Sequence, residues 1–233
     1  MTDAPVLPPL LKGLQSDSPF AQACAEAHRG CDAGLVLYDL GPSILEAAIV
    51  FAPEVPLSTA IAMLPLCAVG FQSALGALAP PEVGLHLAWN GDLRLNGAVC
   101  GHMRVAASDP DPDQIPDWLV VGFSINILPQ SDTPGDTPDD TTLYGEGCSD
   151  VNPVTLLEAW ARHTLVMLHR WSDEGSGPIH KYWSGLAWGM GKNVTQGDLT
   201  GVFICIDENF GLLLKTDDTT HLIPLTDLLE PAS

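Results

Sequence analysis

The central pattern of hydrophobic and polar residues lies between Val83 and Leu128, where two alternating runs precede a longer apolar run. Asn96 and Gly97 separate the alternating runs, and both residue types tolerate the positive φ that a type I′ hairpin turn requires. Residues 118–128 are apolar and β-branched, which is typical of a buried strand. The pattern therefore predicts three strands of one sheet.

Three helices are predicted to cover this sheet, over residues 19–29, 58–78 and 153–171. Ser18-Pro19 and Asn152-Pro153 each place a capping residue before a proline, which is a common helix start. The middle stretch is almost wholly apolar, and a helix that is apolar on all sides is usually buried. Its Pro65 is expected either to kink the helix or to mark its true start.

Shorter elements complete the pattern. Residues 34–39 and 46–53 are expected to be strands, and residues 179–186 a short helix. After about residue 187, glycines separate short β-rich segments, which predicts a small antiparallel β-domain. The sequence thus predicts an α+β fold with two domains, residues 1–186 and 187–233, the first a mixed sheet packed with helices and the second β-barrel-like.

Residues 129–142 are rich in Pro, Asp and Thr and poor in apolar side chains. This composition predicts a mobile, solvated loop. The alternative interpretation is a lid over a site on the sheet.

The net charge of −20 argues against a nucleic-acid partner, whose phosphates attract Lys and Arg. No Lys or Arg occurs among residues 30–93 or 105–161. A site for a triphosphate must therefore draw on Arg94, Arg104, nearby histidines, backbone amides or C-terminal residues.

No membrane span and no signal peptide are expected, and the prediction is a cytoplasmic protein. The six cysteines show neither a CxxC pair nor Cys/His zinc spacing, so no metal site is predicted. They are expected to be reduced and buried.

Three motifs in this order carry a family resemblance. Residues 88–92 (Ala-Trp-Asn-Gly-Asp), 98–101 (Ala-Val-Cys-Gly) and 122–126 (Gly-Phe-Ser-Ile-Asn) are similar to the K-W-P-N-D, K-[IL]-A-G and G-[IF]-G-x-N motifs of the biotin protein ligase and lipoate ligase/transferase family. Residues 206–215 resemble the C-terminal hairpin of biotin ligases. The resemblance covers the chain from about Pro19 to Leu229.

The resemblance implies a pocket for biotin or lipoate and a carrier-domain partner. It implies that Asp92 and Asn126, which keep their family identities, help to form the ligand floor. The other side chains predicted to bind a ligand lie in the same motifs or beside them, namely Trp89, Gly101, His102 and Arg104. The alternative for Asp92 is that it fixes the turn, and for Asn126 that it satisfies buried amides.

The departures from the family concern its cations. The Arg-rich ligand loop should fall between Tyr38 and Pro56, where there is no Arg, and Ala88 and Ala98 replace the two motif lysines. Adenylation puts negative charge on a transferring phosphoryl group, which enzymes stabilise with Lys, Arg or Mg²⁺. We therefore expect ATP not to bind, and ATP-dependent ligation to be weakened or lost.

Cys100 is the candidate nucleophile, because family transferases that do not use ATP carry the acyl group on a thiol. His102 and Arg104 follow at i+2 and i+4, so strict alternation puts all three on one strand face. The alternative is that Cys100 is a small core residue. Cys148 has acidic neighbours that raise its pKa, which disfavours it as a nucleophile.

Two hypotheses stay open, and the sequence does not decide whether the protein is an enzyme. The first is a binding protein for a small carboxylate or a carrier segment. The second is an active biotin, lipoyl or octanoyl protein ligase, or a Cys-dependent acyltransferase. If His102 and Arg104 face the pocket, an anionic ligand is expected, and Arg104→Ala should weaken its binding by about 1.5–3 kcal/mol.

Overall fold

A seven-stranded mixed sheet forms the centre of the fold in the computed structural model, which describes residues 4–129, 139–217 and 219–231. Its strands, in chain order, are β1 (Lys12–Gln15), β2 (Leu35–Leu40), β3 (Ile44–Phe51), β4 (Leu85–Leu87), β5 (Asp92–Leu95), β6 (Ala98–Ala107) and β7 (Leu119–Asn126). The spatial order is β1-β2-β3-β7-β6-β5-β4, and all neighbours are antiparallel except β1 and β2. The predicted mixed, largely antiparallel sheet is confirmed.

Helices cover both faces of this sheet. They are α1 (Pro19–His28), α2 (Leu57–Ala60), α3 (Met63–Gly76), α4 (Pro153–Glu174) and α5 (Gly177–Leu186). The larger core lies between the sheet and the pair α3 and α4, where the Trp160 indole N–H donates to the Cys67 carbonyl at 3.2 Å. A smaller core lies under α1 on the opposite face. The sheet therefore has an α3/α4 face and an α1 face.

The long apolar helix predicted over residues 58–78 is divided in two. The break falls at Ile61 and Ala62, and Pro65 lies in the first turn of α3, where its missing N–H would have no partner within the helix. Residues 57–76 are long and apolar enough to span a membrane by length and composition, but 78% of that window is buried in the core.

The hairpin between β5 and β6 forms as predicted. Asn96 and Gly97 have φ values of 50° and 103°, which matches the positive φ that a two-residue turn needs at both positions. The ladder from β5 to β6 then shifts register, because Leu93 is opposite Gly101 whereas Arg94 is opposite Val99. Cys100 is therefore the extra residue of a β-bulge.

The C-terminal residues form a second, four-stranded antiparallel sheet, as predicted. It contains β8 (Asn193–Gln196), β9 (Leu199–Ile206), β10 (Leu212–Lys215) and β11 (Thr220–Ile223), in the order β11-β10-β9-β8. A short 3₁₀ helix, Leu225–Leu228, follows, and the chain returns to the main sheet, where the Glu230 N–H donates to the Val105 carbonyl at 2.9 Å. A domain boundary at residue 187 stays a prediction.

Most of the acidic loop predicted over residues 129–142 lies outside the described residues, because 130–138 are not among them. Its mobility and its possible role as a lid stay predictions. The end of the segment is described, and it follows the start of β6. The Val99 N–H donates to the Asp139 carbonyl at 2.7 Å, and the Thr141 N–H donates to the Val99 carbonyl at 2.8 Å.

Candidate functional site

A row of polar side chains crosses five adjacent strands on the α1 face of the main sheet. Each member is directly opposite the next in the strand register, and residues opposite each other project from the same face. We call this set the polar row: Asp39, Glu46, Ser124, His102 and Asp92. All five side chains are half-buried, so they form an accessible polar strip across the sheet.

Helix α1 covers the sheet immediately beside the polar row. A side chain at Gly122 would place its Cβ 2.7 Å from the Phe20 ring, so the helix packs closely here because residue 122 is glycine. Arg104, opposite Gly122, extends its guanidinium over the same ring at 4.3 Å. The sheet surface covered by α1 therefore extends as far as Arg104 and Gly122. The polar row lies just beyond it, two residues further along each strand, at His102 and Ser124.

Asp92 and His102 form the hydrogen-bonded end of the polar row. The Nδ1 atom of His102 lies 3.1 Å from Asp92 Oδ1, and the Asn90 amide donates to Asp92 Oδ2 at 3.0 Å. These hydrogen bonds, first the one with His102, lower the pKa of Asp92, although partial burial acts in the opposite direction. Asp92 is therefore anionic at neutral pH.

The other end of the polar row places two carboxylates opposite each other. Asp39 and Glu46 are direct partners in the ladder between β2 and β3. Burial raises the pKa of Glu46, and the neighbouring Asp39 raises it further, while Arg104 lowers it. Like charges at directly opposite positions destabilise a sheet, so this end of the polar row is electrostatically unfavourable.

The charge of Arg104 is neutralised by the protein's own C-terminal segment. Its Nε donates to Glu230 Oε1 at 2.8 Å and its Nη2 to Oε2 at 2.5 Å, a bidentate pair. The hydrogen bond from Arg104 lowers the pKa of Glu230, so both groups are charged at neutral pH. An anionic ligand would have to displace Glu230 to reach this guanidinium.

The expectation that Cys100 shares a face with His102 and Arg104 is wrong. The β-bulge at Cys100 breaks the alternation, so its side chain joins Met103 and Val105 in the core under α3 and α4. Burial, the largest cause, raises the pKa of the Cys100 thiol to about 12, and Sγ lies 3.5 Å from the Asn126 carbonyl oxygen. A nucleophile needs thiolate, so the structure favours the interpretation of Cys100 as a core residue.

Trp89, predicted to bind a ligand, joins the two sheets. Its indole is 6% exposed, and Nε1 donates to the Phe210 carbonyl at 2.7 Å. The apolar cavity beneath it, next to α3, has a volume of about 20 Å³. That is room for roughly one water molecule. Trp89 also lines a larger cleft between the two sheets.

Gly101 and Asn126 support the site from the backbone. A Cβ at Gly101 would collide with the Ser124 carbonyl oxygen and with Ile125, so only glycine allows β6 and β7 to pair closely here. Asn126 ends β7, half-buried, and its carbonyl accepts a hydrogen bond from the Leu143 N–H at 2.9 Å. Strand alternation puts its side chain on the face of Ser124.

Sequence reasoning missed four participants: Asp39, Glu46, Ser124 and Glu230. Strand alternation places Ser124 on the same face of β7 as Asn126, so the sequence pattern could have identified Ser124. Asp39 and Glu46 join the site only through the register between strands. Glu230 lies 126 residues from Arg104 in sequence, and no local signal connects them. In the described part of the chain, no group of three or more His, Cys, Asp or Glu side chains is arranged to hold a metal ion.

Comparison with protein families matches two consecutive parts of the chain. Residues 7–185 match the Biotin/lipoate A/B protein ligase family, and residues 190–231 match a domain of unknown function, DUF4444. Among curated proteins, the bifunctional ligase/repressor BirA of Bacillus spizizenii is 24% identical over 191 residues. That match covers 78% of this chain, which spans only 56% of the relative's length.

Solved structures give the same result for the fold. A biotin protein ligase-like protein of unknown function from Silicibacter sp. TM1040 is 54% identical, with a TM-score of 0.94, over 98% of this chain and 100% of its own. The biotin protein ligase of Aquifex aeolicus is 17% identical, with a TM-score of 0.70, over 92% of this chain and 94% of its own. At that identity, the second similarity concerns the fold alone.

Proposed function

Because this chain belongs to the Biotin/lipoate A/B protein ligase family, we propose that it binds a small molecule or a carrier segment on the polar row, with ATP-dependent ligation weakened or lost. The observation that carries this proposal is the bidentate pairing of Arg104 with Glu230. This pairing occupies the Arg104 guanidinium, whereas Asp39, Glu46 and Asp92 place three carboxylates on the same face of the sheet.

Adenylation requires the opposite electrostatic environment. The triphosphate and the transferring phosphoryl group are anionic, and removing one stabilising donor typically lowers the rate about a hundredfold or more. Two positions that match family lysines are Ala88 and Ala98, and residues 30–93 contain no Lys or Arg. Three carboxylates near a developing negative charge would oppose the reaction further.

The polar row favours a ligand that presents N–H groups. Carboxylate oxygens accept hydrogen bonds, and the Ser124 hydroxyl both donates and accepts. The ureido ring of biotin and the ammonium group of a carrier lysine both offer such donors. A free carboxylate, in contrast, gains a charge partner only when Glu230 leaves Arg104, so we do not retain the anionic ligand that the sequence predicts.

Calorimetric titration tests the two parts of the proposal separately. We expect no heat of binding for ATP with Mg²⁺ at physiological concentration, and a saturable one for biotin or for a lysine-bearing carrier domain. Asp39→Asn combined with Glu46→Gln should weaken that second binding. Asp111→Asn, an exposed change outside the site, is the matched control.

Two outcomes would contradict the proposal. Micromolar affinity for ATP, or pyrophosphate release in the presence of biotin and ATP, would show that the site has recruited other cations. Ligand binding that survives the double substitution on the polar row would place the ligand elsewhere.

A further inference from the structure

A cleft of about 280 Å³ lies between the two sheets, at the β5 end of the polar row. One wall is the turn between β4 and β5, with Trp89 and Asn90, and the opposite wall is β8, Asn193–Gln196. Arg94 and Trp188 lie between these walls. The volume is near the lower end of the range for small-molecule sites, about 300–1,000 Å³, and such sites often occur between domains.

Arg94 lines this cleft, and its guanidinium group has a hydrogen-bond donor without an acceptor in the described part of the chain. Its Nη1 donates to the Gly97 carbonyl at 2.9 Å, and its Nη2 lies 3.6 Å from Asp92 Oδ2, too far for a hydrogen bond. Its Nε is buried and has no hydrogen-bond partner among the described residues. Leaving a buried donor unsatisfied is destabilising, especially in a charged group, so an acceptor in the cleft would be stabilising.

A second cation lies on the same indole ring. The Cζ atom of Arg94 is 5.5 Å from the centroid of the Trp188 ring, and Lys192 Nζ is 4.6 Å from it. Lys192 has no carboxylate within 4.0 Å in the described part of the chain. The Trp188 ring, which lines the cleft, therefore has two positive groups close to it.

This concentration of positive charge is unusual for the protein. The net charge is −20, and in the described part of the chain all five guanidinium groups, including that of Arg94, lie within 4.0 Å of a carboxylate. Arg94 differs in that its buried Nε has no hydrogen-bond partner in that part of the chain. Asn193 and Gln196 on the opposite wall add side-chain amides that can donate hydrogen bonds to a polar ligand and accept them from it.

We propose that this cleft binds a small organic anion, a carboxylate or phosphate group on a compact polar body, through the guanidinium of Arg94, with Lys192 adding positive charge from the other contact on the Trp188 ring. This site is independent of the function proposed for the polar row, although Asp92 borders both. The opposite charge of Asp92 limits the total charge that the cleft accepts, which favours singly charged groups held by hydrogen bonds over polyphosphates.

The test is a titration with lactate, a compact monocarboxylate, and, separately, with inorganic phosphate, at constant ionic strength maintained with KCl. Binding is followed by NMR at the indole N–H of Trp188, assigned with Trp188→Phe. We expect a saturable shift. Lys192→Gln should weaken binding about fivefold, as for an exposed ion pair, and Arg94→Gln about tenfold or more.

Lys215→Gln is the matched control, because it removes one positive charge from the neighbouring β10 outside the cleft. It should leave the affinity unchanged. If neither anion produces a saturable shift, the proposal is wrong. Equal weakening by Lys192→Gln and Lys215→Gln would also overturn it, since long-range charge alone would then explain the response. Lys192 is exposed, so its substitution keeps the test valid even if Arg94→Gln impairs folding.

Discussion

At the scale of single residues, the polar row contains an unfavourable contact that the fold retains. Asp39 and Glu46 are directly opposite on half-buried positions, and the pKa of Glu46 is raised by burial first and then by Asp39. Neither carboxylate has an ion pair with Lys or Arg within 4.0 Å in the described part of the chain. Functional sites often keep groups that reduce stability, so this pair is consistent with a ligand face.

Glu46→Gln should stabilise the protein by about 0.2–1 kcal/mol at neutral pH, because it removes one of two opposed charges. A raised carboxyl pKa means that the ionised form is disfavoured in the folded state. The gain should therefore be present at pH 7 and disappear as the pH falls below the ordinary Glu value of 4.5. Urea unfolding at both pH values measures it, and a destabilised variant would show that Glu46 has a favourable partner.

Glu230→Gln should destabilise the protein by about 1 kcal/mol at pH 7, the upper end for a partly exposed ion pair. The lowered pKa of Glu230 means that its contribution is present above 4.5 and is lost as the pH falls through the folded-state value. The difference from the wild type should therefore vanish in acid. Glu174→Gln, which breaks the exposed pair with Arg170, is the control and should change stability less.

At the scale of elements, two helix starts with similar sequences differ in their capping. Asn152 Oδ1 accepts hydrogen bonds from the Val154 and Thr155 N–H groups at 2.9 and 3.2 Å. Ser18, in the equivalent position before Pro19, makes no side-chain capping bond. Sequence reasoning predicted both residues as N-caps, and the start of each helix is where it was expected, but only one cap is made.

Asn152→Ala should therefore cost about 1 kcal/mol of stability, because two N–H groups at the start of α4 lose their acceptor. Ser18→Ala at the start of α1 is the matched control and should cost clearly less. Chemical denaturation of both variants against the wild type gives the comparison. Equal losses would mean that the hydrogen bonds of Asn152 do not contribute to stability.

At the scale of the whole molecule, the small sheet is joined to the main sheet at several points. Trp89 donates to the Phe210 carbonyl, the Trp188 N–H donates to the Leu87 carbonyl at 2.8 Å, and Glu230 pairs with Val105. These bonds link the second sheet and its flanking segments to β4, to the turn between β4 and β5, and to β6. The cleft between the sheets depends on this arrangement.

Trp89→Phe should weaken this connection, since it leaves the buried Phe210 carbonyl without its donor, at a cost of about 1–3 kcal/mol. Amide hydrogen exchange in β9 and β10 should become faster than in β3 and β7. Trp171→Phe removes an indole bond to Ser176 within the main body and is the control. If both variants change exchange in β9 and β10 equally, Trp89 has no special part in joining the sheets.

The sequence by itself determined most of the elements and much of their order, although β1 was not predicted and the helix predicted over residues 58–78 is divided in two. The Asn96-Gly97 turn, the start of α4 at Pro153 and the buried strand β7 follow from local backbone preferences and from alternation, which act over a few residues. The family resemblance then gave the fold, because the motifs stand in the right order. Backbone preferences and alternation act between residues close in sequence, and motif order is a property of the sequence itself. A single sequence therefore contains both kinds of signal.

Only the tertiary structure decided which side chains meet. The bulge at Cys100 moved that thiol to the opposite face from His102, and the polar row exists only through register across five strands. The partner of Arg104 is Glu230, which reaches it after the chain has formed a second sheet. Register, bulges and long-range ion pairs depend on how the elements pack together, and packing is a property of the whole chain rather than of any segment.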